Sequence, residues 1–342
     1  MDTMTTIDRA SATRALVAAT TAAALAPSVH NTQPWRWRIE GAVADLYADN
    51  RRQLRVADPD GRLLTLSCGA VLNEACVALA AAGVAIDVVR IPDPDDGDHT
   101  TTLTGGRPGH LARITVTGSV PVTEATLRLY KTAEIRRADR RTLLDESLST
   151  AAVTALRATA ATFGIGLHEL TRDQAIELAS ATSRAQHDEV KDIAAHAELD
   201  AWTDPRRPAR AGVPNANIPD RDVPTTVPMR DFGHVGSLAI PAGHDNAATY
   251  VILYGLAEQP RSWLRAGEAI DAIWLTATEH MIALLPLSEA VEATATRQQL
   301  HRILSGLGYP YLALRLGIAD PNLPMLARTP RLPAEANIEV LP

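Results

Sequence analysis

Apolar positions change period several times along this chain, and each change marks an element. After Asp8, the run RASATRALVAATTAAALA keeps an apolar face at helical spacing and predicts an amphipathic helix that Pro27 cannot continue. Trp35, Trp37 and Ile39 then alternate with Arg36, Arg38 and Glu40, the period of a strand with one buried face. Gly41 permits a reversal, which makes Val43 to Tyr47 the hairpin partner. From Leu63 to Ala82 the chain is apolar on nearly all sides and stops at Gly83, predicting a long helix buried between layers. Val84 to Ile91 and Leu111 to Thr117 read as strands, separated by a polar, turn-rich stretch expected to be an exposed loop.

The second part repeats this grammar. Thr123 caps a predicted helix that runs into Arg136, and a helix over Thr150 to Thr162 and a strand over Ile165 to Leu170 follow. Asp173 to Trp202 reads as one long helix. Thr203 to Gly233, with six prolines, keeps no period and is either a functional lid or a linker. Val235 to Ile240 and Thr249 to Tyr254 are strand-like, Ala266 to Leu285 is a second long helix, and a helix over 297–305 and a strand over Tyr311 to Leu316 close the pattern. The implied fold is α+β, a mixed sheet packed by helices, in two pseudo-symmetric halves with boundaries at 1–120 and 121–342.

Composition narrows the class. A chain of 342 residues with 46% hydrophobic content suits one large two-lobed unit, and a net charge of −7 with no basic face beyond local arginine pairs argues against nucleic acid as a partner. Cys68 and Cys76 fall eight residues apart on one predicted helix, ~12 Å at 1.5 Å per residue, too far for a disulfide, which fits a reducing cytoplasm. Arg9 and Arg14 ahead of an apolar run imitate a secretory signal, but Asp2, Asp8, Thr20 and Thr21 favour the amphipathic helix. No run of about 18 apolar residues occurs, so no membrane span is expected.

Two segments carry candidate chemistry. APSVHNTQPW, Ala26 to Trp35, sets Ser28, Asn31, Thr32 and Gln33 between two prolines, with Pro34 expected to hold Gln33 extended. Such a turn offers uncharged donors and acceptors to a flat heterocycle, although a structural turn has the same composition. IRRADRR, 135–141, is a cationic stretch, either a solvated face or an anion site. Ser28 and His30 lack a GxSxG elbow, and the ten histidines show no metal-ligand spacing, so neither a nucleophile pair nor a metal site is expected. GGRPG, 105–109, has too little context for a phosphate cradle. Asn73 is either a polar core residue or a ligand neighbour.

The turn resembles the flavin-binding signature AxAPSxxNxQPW of the nitroreductase superfamily, in the single-chain Acg-type form of actinobacteria. In that superfamily one subunit offers this turn to the flavin ring and ribityl chain, and the other offers an RRSxR segment to the FMN phosphate. Arg136, Arg137 and Arg140 match the arginines of RRSxR, with Ala138 in place of the serine. The resemblance therefore implies one site assembled from two halves of one chain, with FMN as cofactor. It also implies ring and ribityl contacts from Ser28, Asn31 and Gln33, and Ser288 of PLSEAVE, 286–292, near the ring. Arg331 of the tail RTPRLPAEANIEVL would reach the phosphate, and the 203–233 insertion would act as a lid. No catalytic side chain is required, because the flavin carries hydride from a transiently bound NAD(P)H to a small oxidised acceptor. A GxGxxG motif is absent, as expected of transient nicotinamide binding. The alternatives are an FMN-storage protein under a closed lid and a pseudo-dimer that has lost its flavin. A monomer suffices for one site, and a homodimer remains compatible with it. A small-molecule acceptor is the expected partner, with no membrane or nucleic acid.

Overall fold

The computed structural model describes residues 7–91, 109–204 and 210–342. Helix α1 (Arg9–Ala22), whose N-terminus Asp8 caps by accepting from the Ser11 amide, leads through the APS turn to strands β1 (Trp35–Glu40) and β2 (Val43–Ala48). Then come α2 (Arg62–Ala81), β3 (Val84–Arg90), β4 (His110–Ser119) and α3 (Glu124–Ile135), which the Thr123 hydroxyl caps. The second part runs α4 (Thr150–Thr162), β5 (Gly166–Glu169), α5 (Arg172–Lys191), α6 (Ile193–Thr203), β6 (Thr249–Gly255), α7 (Pro260–Glu279) and β7 (Ile282–Leu287). It closes with α8 (Glu289–Glu292), α9 (Thr294–Ile303), β8 (Tyr309–Ile318), α10 (Ala334–Asn337) and β9 (Ile338–Val340).

The strands fall into two sheets rather than the single mixed sheet that the sequence pattern implies. One has the order β3-β4-β2-β1-β9 and the other β7-β8-β6-β5. Apart from β9, each sheet follows the same path: an antiparallel pair, a long helix, then two strands that return to the other side of the pair's second member. The terminal strand breaks the repeat. It leaves the second half and adds to β1 in parallel, Ile338 opposite Trp37, so the C-terminus is tied into the first sheet.

The two long helices lie back to back between the sheets. Sixteen of the twenty residues of α2 are buried, from Arg62 to Ala75 with Ala78 and Leu79. Its Leu64, Val71 and Leu72 join the core of the first sheet, while its Leu63 and Leu66 join that of the second. In return Leu264 of α7 inserts into the first core. Helix α2 is long and apolar enough to cross a membrane, and burial inside the protein accounts for that composition. The crossing is tight because both helices present glycine: a Cβ on Gly69 would sit 2.0 Å from the Leu264 carbonyl oxygen, and one on Gly267 1.9 Å from that of Leu66. Arg90 clamps the same junction from β3, with two bonds of 2.7 Å to the Glu268 carboxylate on α7.

Several expectations shift. The predicted helix over Asp173 to Trp202 is two, because Asp192 leaves helical geometry (ψ 103°) and turns its side chain to cap α6 through the Ala194 and Ala195 amides. The second long helix starts earlier and ends earlier than predicted. Pro260 opens α7 at its first turn, and Met281, at φ +59°, turns the chain so that Leu285 lies in β7. Val235 to Ile240 is no strand, and its pairing is the single bridge between Leu238 and Pro219. Most of the loop expected between β3 and β4, including most of GGRPG, lies outside the described residues.

Alanine at Gly69 or Gly267 should lower stability by about 3 kcal/mol, the upper range of overpacking, because the obstacle is backbone rather than a pliable side chain. The gain in helix propensity, about 1 kcal/mol, is too small to compensate. Urea unfolding of each variant checks this, and a midpoint equal to wild type contradicts the crossing.

Candidate functional site

The residues after the first helix form an unusual backbone. His30, Asn31 and Gln33 have φ of +48°, +54° and +51°, three left-handed non-glycine residues within four positions, at a cost of ~1–3 kcal/mol each. Gln33 is therefore not extended as Pro34 suggests, because tertiary hydrogen bonds hold it. Its amide donates to Ser28 Oγ (2.9 Å), its Nε2 to the Arg210 carbonyl (3.0 Å), and its Oε1 accepts from the Leu332 amide (2.8 Å). Asn31 works in the same way, with Nδ2 donating to the carbonyls of Gly212 (3.1 Å) and Pro330 (2.9 Å). One turn thus fastens both the proline-rich insertion and the C-terminal tail.

The segment after α3 meets this turn from the other half. Ala138 bridges to Leu284 on β7, and the Asp139 amide donates to the Leu284 carbonyl, which fixes the arginines on either side. Arg141 is occupied by Asp139, at 2.7 and 3.0 Å, and faces away from the turn toward Pro324. Arg136, Arg137 and Arg140 line a chamber together with Ser28, Asn31 and the tail residues Arg328 and Arg331. Five arginines converge there, and no carboxylate lines it among the described residues. Arg136 and Arg331 both donate to the Leu25 carbonyl, at 2.6 and 2.9 Å, and each keeps a buried Nε with no hydrogen-bond partner among the described residues. Burial, with Arg136 and Arg137 nearby, pushes the Arg331 guanidinium down to about 9, and burial pushes Arg140 to about 10. Such crowding of like charge with unused donors is the donor set of a multivalent oxyanion.

Behind Arg136 lies a buried counterweight. Asn73 Nδ2 donates to Asp271 Oδ2 (2.8 Å), and Glu74 adjoins the pair. Burial raises both carboxyls, and the Asp271 charge keeps the proton on Glu74. The structure thus makes Asn73 a polar core residue, away from the chamber linings.

A second chamber opens beside the first and shares Pro27, Ser28, His30, Ala138, Arg140 and Trp274 with it. Its walls are largely apolar, with Leu66, Ile270 and Leu285 from the helices and β7, and Met229 and Phe232 from the insertion. Ser288 also lines it. Arg136 stacks on Trp274, with its guanidinium carbon 4.6 Å from the ring centroid, and Arg140 lies 5.2 Å over Phe232. Burial, then Arg230 and Arg140, holds His30 well below its ordinary value, so its imidazole is neutral. The adjoining apolar and cationic linings suit a largely apolar group attached to an anionic one.

Of the residues singled out in the sequence, Ser28, Asn31, Arg136, Arg137, Arg140, Ser288 and Arg331 line one or both chambers. Gln33 does not; fully buried, it braces the turn. Sequence reasoning missed Trp274, Arg328, Arg230, Met229, Phe232 and Glu289. Trp274 falls on the apolar period of its helix and gives no separate signal, whereas Arg328 precedes Arg331 at the tail spacing and was legible.

No family model matches the chain. It is 37% identical over 319 residues, 91% of its length and 87% of the relative's, to a Mycobacterium tuberculosis protein named putative NAD(P)H nitroreductase. A second protein so named in that organism, Acg, is 30% identical over 337 residues, 98% of this chain and 96% of its own. A crystal structure of a nitroreductase with bound FMN from Bacteroides fragilis aligns with 59% of this chain and 93% of its own, at 13% identity and a TM-score of 0.38, a likeness too distant to build on.

Inorganic phosphate should raise Tm above that in chloride of equal ionic strength, by up to about 2.7 kcal/mol of stabilisation at a hundredfold excess over Kd. In Arg331→Met the increment should fall by more than half. Differential scanning calorimetry of both proteins reads it.

Proposed function

The chain belongs to the nitroreductase family represented by these mycobacterial proteins, and from that premise we propose that it is an FMN-dependent oxidoreductase passing hydride from NAD(P)H to a small oxidised acceptor. The observation that carries the reading is the adjoining pair of chambers, one largely apolar, the other ringed by arginines with no carboxylate among the described residues. Bound FMN supplies the two-electron chemistry, and the protein's part is to bind, orient and exclude water.

Arg136, Arg137, Arg140 and Arg331, with Arg328, hold the phosphate, whose two charges answer the unused Nε donors of Arg136 and Arg331. Ser28, in the wall common to both chambers, and Asn31, in the arginine chamber, face the polyol chain, and Trp274 with its apolar neighbours packs the ring system. Gln33 acts through the backbone it fastens. His30, kept neutral, brings no positive charge to the ring edge. A single chain contributes every segment, so the monomer is the functional unit in this reading. Met229 and Phe232 over the apolar chamber favour the second reading, storage, if they exclude a nicotinamide.

Purified protein should be yellow and release FMN on heating. Anaerobic stopped-flow mixing with NADH or NADPH should bleach it, whereas bleaching by dithionite alone leaves storage standing. Arg136→Ala with Arg140→Ala should weaken FMN about 10²- to 10⁴-fold, from about 1.5–3 kcal/mol per charged bond, while riboflavin affinity stays nearly constant. Equal losses for both flavins in a fluorescence titration would move the phosphate elsewhere.

A further inference from the structure

A third chamber borders the apolar one, and its lining is acidic: Asp188, Glu189 and Asp192 from α5 and its end, Glu198 from α6, and Glu292 from α8. Three residues belong to the walls of both chambers, namely His30, Arg230 and Glu289. Arg230 is held by Glu189 (2.8 Å) and Glu292 (2.5 Å). His30 is neutral, with its proton affinity suppressed. Glu289 differs from both. It is 3% exposed, its Oε2 stands 3.8 Å from Arg230, beyond hydrogen-bond reach, and its Oε1 has no hydrogen-bond partner among the described residues. A buried carboxyl with a free oxygen, set in the partition between an apolar and a polar space, is placed for proton exchange rather than for structure.

We propose that Glu289 is the acid that delivers a proton to an electron acceptor in the apolar chamber and is reprotonated from the acidic chamber. This rests on the oxidoreductase reading and adds a catalytic side chain to it. Reduction of a neutral quinone to a hydroquinone takes two electrons and two protons. Hydride from the reduced nicotinamide accounts for both electrons and one proton. The second proton comes from Glu289, whose O–H bond breaks as the acceptor oxygen gains its own. The carboxylate then recovers a proton from water in the acidic chamber, whose carboxylates attract hydronium.

The surroundings favour the protonated form. Burial, opposed by the Arg230 guanidinium, pushes the Glu289 carboxyl up to about 7, and Glu292 and Glu189 add to the rise. Arg140 is the other cation facing it. With the folded value raised, the acid is present below pH 7 and lost as pH climbs through it. An ordinary exposed glutamate would already be ionised there.

Two measurements test this. In the unliganded protein, the infrared difference between wild type and Glu289→Gln should contain a carboxylic-acid carbonyl band at pH 6 that disappears with a midpoint near pH 7. The Glu74–Asp271 pair is present in both proteins and cancels. No such band at pH 6 overturns the proposal. For the second, FMN-loaded protein reduced by dithionite is mixed anaerobically with benzoquinone. The wild-type reoxidation rate should fall as pH rises through about 7 and carry a solvent deuterium effect. Glu289→Gln should be slower by about 10²-fold or more and flat with pH, and Glu289→Asp should restore part of both. Equal rates and profiles in wild type and Glu289→Gln overturn it. Because dithionite replaces the nicotinamide, failure of NAD(P)H to bleach the flavin sinks the oxidoreductase reading and leaves this test intact.

Discussion

The approach of two helix backbones at Gly69 and Gly267 sets the distance on which everything else depends. With no side chain at either position, α2 and α7 touch through their main chains; α2 sends Leu63 and Leu66 into the second core and α7 sends Leu264 into the first. That contact fixes two sheets of matching strand order against each other and leaves a cavity floored by residues of both helices, Leu66, Ile270 and Trp274 among them. A methyl group's worth of separation would loosen both cores together, since close-packed interiors pass such displacements on.

Around that crossing the chain accepts local costs. A turn with three left-handed residues, a crowd of arginines with Arg136 buried among them, and two carboxyls raised by burial behind Arg136 are each unfavourable in isolation. They coexist because the same few side chains tie separate segments together. Asn31 and Gln33 hold the insertion and the tail, Arg331 returns to Asn31 Oδ1 at 3.0 Å, and β9 anchors the tail on the first sheet. The surrounding fold over-determines the geometry of the strained turn.

The three chambers divide the chemistry by polarity: guanidinium at one end, apolar surface in the middle and carboxylate beyond. Side chains at the partitions belong to two environments at once, which is why His30 and Glu289 depart from their solution behaviour in opposite electrostatic senses, both toward neutrality.

Local order was largely legible. Period-two alternation located β1 and continuous apolarity located α2, whereas the composition of the turn and of IRRADRR left a structural turn and a solvated face open, and only the likeness to a known signature paired the two segments. Breaks that depend on a single side chain were not legible, as at Asp192, where one carboxylate capping the next helix divides a helix that the pattern reads as continuous. Tertiary structure alone decided that Gln33 braces rather than lines, that Trp274 stacks on Arg136, that the tail becomes a strand of the opposite half, and that Glu289 stands in a wall. The reason is physical. Periodicity and turn chemistry report interactions a few residues apart, whereas the partner of a buried polar group is selected by packing across hundreds of residues, where sequence spacing carries no information about distance.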